Sequence, residues 1–321
     1  MNSKGLEYSN ILTIGTTIAF IVCGMFGLFD SPIIEIVVAA ILIVTIGLPH
    51  GATDLLLVQY LSKDKYQVSI KQTLVQYLGL IGFYGLIWFL LPKIAFLLFI
   101  IISIYHFGQS NYNFIQVENK IIRTIIYLVS GSFVLLTPLC IHHEVAVPII
   151  ETISGTTAYS FSADIVETLP RELFLINLWM LIFLFFNNWI KSEAFVYQLI
   201  SISLLLFCFY YLPLMLAFTV YFVFWHSYSS MIDQIEYIRT KKKDFTWLKY
   251  YQNALPITLL AIILIGAGYW VNVTWSINFS IVELFFVMLS LLTLPHILLI
   301  EQLYSDFRRA GEFKMKQLIK D

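Results

Sequence analysis

Charges, prolines and short polar runs cut this chain into apolar stretches of about twenty residues, and stretches of that length leave almost no choice of fold. In hydrocarbon a backbone N–H or C=O without a partner costs several kcal/mol, so an apolar run this long must close its own hydrogen bonds as a helix. At a rise of about 1.5 Å per residue, some twenty residues cross the roughly 30 Å apolar layer of a bilayer. Ten such segments can be read: 11–29, 33–60, 73–91, 94–117, 121–141, 172–190, 194–212, 214–237, 254–272 and 279–304. Of the 321 residues 59% are hydrophobic and 12% charged, with a mean hydropathy of +0.83. A soluble domain carries about 25% charged residues. The expected fold is therefore an all-α, polytopic membrane bundle of about ten transmembrane helices in one domain. The first stretch, 11–29, has the length of a signal-peptide core. A second span follows at once and no small-residue cleavage site stands out, so it is expected to be retained.

Basic residues orient the bundle, because Lys and Arg gather in cytoplasmic loops. With ten spans, seventeen of the nineteen lysines and arginines fall on the side that holds both termini, and only Lys93 and Arg171 fall opposite. Both termini are expected to be cytoplasmic, with a cytoplasmic loop at 238–253 and a cytoplasmic tail at 305–321. The long loop at 142–171, which holds His142, His143 and Glu144, is then external. Adding or dropping one span near the middle would scramble this asymmetry, so the charges support the count as well as the orientation. The expected location is the plasma membrane, as a multi-pass protein. Cys23, Cys140 and Cys208 are scattered without CxxC spacing, which indicates neither a disulfide framework nor a thiolate metal site. No basic stripe interleaved with aromatics occurs, which sets nucleic acid aside as a partner. No repeat of 20–50 residues is visible. One short echo exists: Leu48-Pro49-His50 and Leu294-Pro295-His296 share a tripeptide, each followed by a carboxylate, Asp54 and Glu301.

Four of the six histidines, His50, His106, His226 and His296, lie inside the spans. Ionisable groups at membrane depth face a cavity, a partner or an ion. Taken singly, each is as readily a polar residue hydrogen-bonded across a helix contact. Together they occupy spans 2, 4, 8 and 10, which all run from outside to cytoplasm. His50 and His296 lie 17 residues from the outer ends of their spans, and His106 and His226 lie 12. A tilted bundle brings all four to one level, a little cytoplasmic of the midplane. Independent structural histidines have no cause to avoid every odd-numbered span, so a shared metal site is the expected reading. Four imidazoles without a thiolate suit iron, zinc, copper or nickel and leave the metal open.

The neighbours look like supports for such a site. In Gly47-Leu48-Pro49-His50-Gly51-Ala52-Thr53-Asp54 a proline opens the helix, small residues allow close approach, and Asp54 stands one turn beyond the histidine. Asp54 either orients an imidazole, as carboxylates do beside metal ligands, or sits wet at the cytoplasmic end of its span. Tyr105-His106-Phe107-Gly108-Gln109-Ser110-Asn111 adds a polar cluster in which Gln109 or Asn111 is placed to bond a water at the metal. The hydroxyls of Trp225-His226-Ser227-Tyr228-Ser229-Ser230 read as helix contacts.

At these motifs the sequence resembles the Brp/Blh family of bacterial and archaeal β-carotene 15,15'-dioxygenases. The match runs through the Gly47 to Asp54 motif, Tyr105-His106-Phe107-Gly108, Trp225-His226-Ser227 and Leu294-Pro295-His296, in the family's order. The resemblance implies an integral membrane enzyme that uses Fe(2+) and O2 to cleave the central double bond of β-carotene into two molecules of retinal. The family's iron-binding histidines match His50, His106 and His226. The family often carries a further histidine four residues after the one in WHS, where this chain has Ser230. Three arrangements accommodate that departure: His296 completes the coordination, three histidines act with a water, or the chain is a paralogue of altered activity. The first is expected, since His296 is the one further histidine that this topology places in the membrane.

A substrate dissolved in the bilayer calls for a lateral opening between helices, and a rhodopsin is a candidate acceptor for the product. Aromatic residues make up 17% of the chain, but membrane helices are aromatic-rich in any case, so none is assigned to a substrate tunnel. Other classes remain open from the residues alone. A transporter could relay protons through buried histidines, although few carboxylates are available to partner them. A haem-binding electron carrier would use paired axial histidines. A di-iron desaturase would need many more histidines than six.

Overall fold

A computed structural model of the chain describes residues 3–61, 70–115, 117–155, 163–276 and 279–310, and these form helices without a strand among them. In chain order the helices are α1 (Ser3–Met25), α2 (Pro32–Val58), α3 (Ile70–Leu90), α4 (Pro92–Tyr112), α5 (Lys120–Ile141), α6 (His143–Ser154), α7 (Ala163–Phe186), α8 (Ser192–Tyr211), α9 (214–241), α10 (Trp247–Thr274) and α11 (Ile281–Ala310). Among the described residues eight helices are long and apolar enough to cross a membrane, and Asn10–Met25 within α1 is a shorter apolar helix. The protein is thus an all-α polytopic membrane bundle. The ten segments read from the sequence correspond to these eight, to α1 and to α9. Polar residues from His226 onward lower the hydropathy of α9 and keep it out of the eight.

The helices begin and end where local chemistry requires. Pro32 and Pro92 stand at first helical positions, where the missing N–H costs nothing. Asn119 accepts from the backbone N–H groups of Ile121 and Ile122, and Thr246 accepts from that of Lys249. Pro213 separates α8 from α9. There the Met215 N–H, one of the orphan donors of a helix start, donates a hydrogen bond to the Glu35 carboxylate from α2, 2.9 Å away.

The largest apolar core joins α4, α5, α7, α8 and α9, where Phe133, Leu181, Leu184, Cys208 and Phe209 are fully buried. The outside is apolar as well: Phe89 is 84% exposed and Phe186 77%, as expected of side chains that face lipid. Polar contacts tie α4, α9 and α11 together beyond the histidines. Asn113 donates to Asp233, Tyr304 reaches the same carboxylate, and Tyr237 donates to Asp306.

Two stretches differ from the sequence reading. The segment expected as an external loop, 142–171, contains α6 and the start of α7. Ala146, Ile150 and Ile153 recur at helical spacing and bury one face of α6 against α4 and α9, which a loop could not do. Gly155, in the left-handed conformation at φ 65°, ends that helix. The expected tail, 305–321, begins as the last turns of α11 through Ala310, with Asp306 and Phe307 buried. Residues 311–321 lie outside the described residues.

Candidate metal centre and its apolar cavity

Each of the four intramembrane histidines is placed by a local irregularity or a close packing contact. The turn before His50 widens into a π-helix at Ile43–Gly47, which takes up the ring and the missing N–H of Pro49. A second π-helical stretch, Tyr221–Ser227, carries His226. His106 and His296 lie on α4 and α11, the latter directly after Pro295.

The sequence positions converge. His50, His106, His226 and His296 are all at least 94% buried. Their rings close a circuit in which neighbouring centroids lie 5.2 Å (His50 to His226), 4.7 Å (His226 to His106), 5.2 Å (His106 to His296) and 5.1 Å (His296 to His50) apart. Planes of adjacent rings stand at 76° to 90°. The ligand atoms of His50, His226 and His296 all lie within 4.8 Å of one another. Bonds of about 2.1 Å from imidazole nitrogen to a first-row metal would place such ring centroids roughly 5 Å apart. The observed circuit has that size.

Hydrogen bonding fixes which nitrogen is free. His50 Nδ1 donates to the Gly47 carbonyl, three residues back on its own helix. His296 Nδ1 donates to Asp54, 2.8 Å from Oδ1, and leaves Nε2 buried without a hydrogen bond. Both nitrogens of His106 and Nδ1 of His226 are likewise buried and unbonded. A buried polar atom left in this state costs about 1–3 kcal/mol, so several on one cavity wall call for an occupant. An ion with an affinity for neutral nitrogen meets that need, and a divalent first-row transition metal, iron included, suits a set of imidazoles.

Asp54 resolves its two alternatives. It is 2% exposed, and it orients a histidine, though the one across the cavity on α11 and not the one on its own helix. Its second oxygen accepts from the Tyr77 hydroxyl of α3 at 2.9 Å. Gln109, read as a partner for a water at the centre, does not line the cavity. Its amide donates to Glu301 on α11, a carboxylate also reached by Tyr105 and Arg308, so it braces α4 against α11. Asn111 is likewise occupied, donating to Ser130 and accepting from Tyr221. Ser230 is buried near Gln234, 3.4 Å from its amide nitrogen, in a network where Gln234 donates to the His50 carbonyl and Thr53 donates to Gln234. His142 does not line the cavity; its Nε2 donates to the Phe209 carbonyl.

Tyr77, Gln234 and Tyr250 lie outside the motifs read from the sequence, and Thr53, inside the first of them, had no role assigned there. Their contacts cross between helices, and no spacing along the chain reports them; only the presence of hydroxyl and amide groups within apolar spans hinted at partners. The effect of one contact can be measured. Asp54→Asn keeps the shape but weakens the hold on His296 Nδ1, and loss of such a partner typically costs 10- to 100-fold in metal affinity. Metal titration of the purified variant should show a weakening of about that size.

The centre lines a cavity of about 300 Å³ whose remaining wall is nearly all hydrocarbon, with Phe99, Phe107, Phe218 and Phe222 among the flat side chains. Phe222 stacks on His226 at 5.7 Å and Phe107 meets it edge-on at 5.0 Å. Residues 41–304, which carry all four histidines, match the β-carotene 15,15'-dioxygenase family. The chain belongs to that family. It is also 27% identical over 285 residues to a β-carotene 15,15'-dioxygenase of an uncultured marine bacterium 66A03, an alignment that covers 83% of this chain and 93% of the relative. No solved structure matches the chain. Within this family the cavity has the character expected for a long apolar substrate: walled by hydrocarbon, lined with aromatics and bearing the four histidines at one place.

Proposed function

We propose that this chain cleaves the central double bond of β-carotene with O2 to give two molecules of retinal, with Fe(2+) held by His50, His106, His226 and His296. The observation that carries the reading is a circuit of four buried imidazoles on the wall of an apolar cavity, three of which, His50, His226 and His296, bring ligand atoms within 4.8 Å of one another, in a chain of this family. The reaction breaks one C=C bond and forms two C=O bonds, one oxygen atom going to each carbon, so no proton has to be added or removed overall.

Ferrous iron, when bound, would supply the one-electron chemistry that lets O2 react with a closed-shell polyene. The protein's own residues do the rest. His50 and His296, each with Nδ1 committed to a hydrogen bond, present Nε2 as a fixed lone pair. Asp54 and Tyr77 hold His296 in that tautomer. Thr53, Gln234 and Tyr250 brace the backbone of the His50 turn, with Gln234 bonded to the His50 carbonyl at 3.1 Å and Tyr250 to Gln234 at 2.8 Å. Phe107, Phe218 and Phe222 offer faces against which a polyene packs, and the hydrocarbon wall excludes water. The retinal is itself apolar and would leave into the plasma membrane, where a rhodopsin could take it up; both termini of the chain would lie in the cytoplasm.

Purified protein should contain close to one iron per chain and convert β-carotene to retinal in air. Metal analysis, the absorption spectrum and product chromatography on one preparation test this together. Protein reconstituted with iron that leaves the pigment intact would overturn the proposal, and a Soret band would favour a haem carrier in its place.

A further inference from the structure

The cavity around the histidines has two unlike ends. Toward the N-terminal halves of α4 and α11 it runs from the centre to Phe96 and Phe286, each ten residues before the histidine of its helix, or about 15 Å of helix rise. That end is shut. Phe96, Ala146, Ile150, Ile153 and Leu214 pack into one buried cluster, none more than 9% exposed, and α6 supplies three of the five. The other end lies between α3 and α10. Leu74 and Leu78 on α3 and Ile257, Leu260 and Leu264 on α10 line the same cavity, yet they are 38% to 57% exposed. In a membrane bundle that exposure is to lipid, so the cavity is a blind tube whose mouth opens sideways into the bilayer.

A tube of this kind must solve a problem of register. The double bonds along a polyene are nearly alike, and a hydrocarbon offers no hydrogen bonds by which a wall could recognise its middle. What a blind apolar tube does offer is a stop at a fixed distance. The closed arm is comparable in length with half of an extended carotenoid. Resting on the proposed function, we infer that β-carotene enters end-on from the bilayer between α3 and α10 and slides past the histidines until its leading ring meets α6. The depth of the closed arm then selects the bond that is cut. Ile150 and Ile153 are specificity-determining residues in this scheme, and Leu260 and Leu264 line the mouth. A shifted register changes only which C=C is broken; each cut still consumes one O2 and yields two carbonyl products.

The test uses the purified full-length protein, first with β-carotene and with a shortened carotenal that keeps one ring. The wild type should cut both at the same distance from the ring, so that retinal is a product of each. Uncut shortened substrate, or a cut counted from its aldehyde end, would overturn the inference while β-carotene cleavage stood. The double variant Ile150→Ala with Ile153→Ala deepens the arm and should move the cut one double bond further from the leading ring, giving one aldehyde longer than retinal. Retinal alone from this variant would also overturn the inference. Leu260→Trp at the mouth should raise KM and leave the products unchanged. Failure of the wild type to cleave β-carotene would instead strike the functional reading itself, and the two failures are distinct. Should the double variant not fold, the shortened substrate decides the matter on the wild type.

Discussion

Replacing His226 by alanine is expected to remove both the iron and the retinal-forming activity. His226 touches two of the other three histidine rings, at 5.2 Å from His50 and 4.7 Å from His106, and it belongs to the compact set whose ligand atoms lie within 4.8 Å of one another. Loss of a mere supporting partner costs about 10- to 100-fold in metal affinity or activity, and loss of the ligand itself should exceed the upper figure. Retinal formation should therefore fall by more than about 100-fold, with iron dropping from near one per chain to a trace. The substitution also deletes the ring that Phe107 and Phe222 pack against, so a fall in activity alone would be ambiguous. Iron content decides. A folded His226→Ala protein that kept its iron and its turnover would show that the cluster is structural and that the chemistry lies elsewhere.

The feature that made this site legible was a coincidence of depth. On the ten-span reading His50, His106, His226 and His296 stand on spans that run the same way, and counting residues from the span ends put them near one level. Their convergence follows from a bundle that has to pack, because imidazoles facing lipid would be costly. The Gly47 to Asp54 motif was readable in part: Pro49 opens the helix, whereas the sequence left Asp54 as readily wet at the end of its span as set against an imidazole, and only the contact with His296 decides. What the sequence could not reveal were contacts made sideways between helices. Asp54 serves His296 and not His50, and Gln109 is drawn to Glu301, because helix rotation and neighbour choice decide which polar group meets which. Polarity alone also misread 142–171. A helix of only twelve residues, with Glu144 in its first turn and Pro148 inside it, looks like a loop until its apolar face is seen against the cavity.

Gly131→Ala is expected to do damage of another kind, from a helix that carries no histidine of the centre. A Cβ at Gly131 would lie 1.7 Å from the Ile104 carbonyl oxygen, and one at Gly108 would lie 1.7 Å from that of Tyr127. The two glycines therefore form a reciprocal contact in which the backbones of α4 and α5 touch, as small residues permit between membrane helices. No flexible side chain is available to yield, so an added methyl must push the helices apart. Overpacking of a fitted core costs about 1–3 kcal/mol and at times more, and this case belongs at the upper end. Ile104 and Gly108 flank His106 on α4, so the displacement is transmitted to the metal centre even though Gly131 is on α5. Thermal unfolding in detergent should show a marked loss of stability, and the protein that remains folded should bind iron less tightly. Gly82→Ala provides the contrast, since nothing lies within 4 Å of the Cβ it would add. There the substitution removes only the conformational freedom of glycine in a helix, worth about 1 kcal/mol in alanine's favour in water, and should leave stability unchanged or slightly raised. Equal tolerance at the two positions would mean that α4 and α5 are not in backbone contact, and the position assigned to His106 would then have to be given up with it.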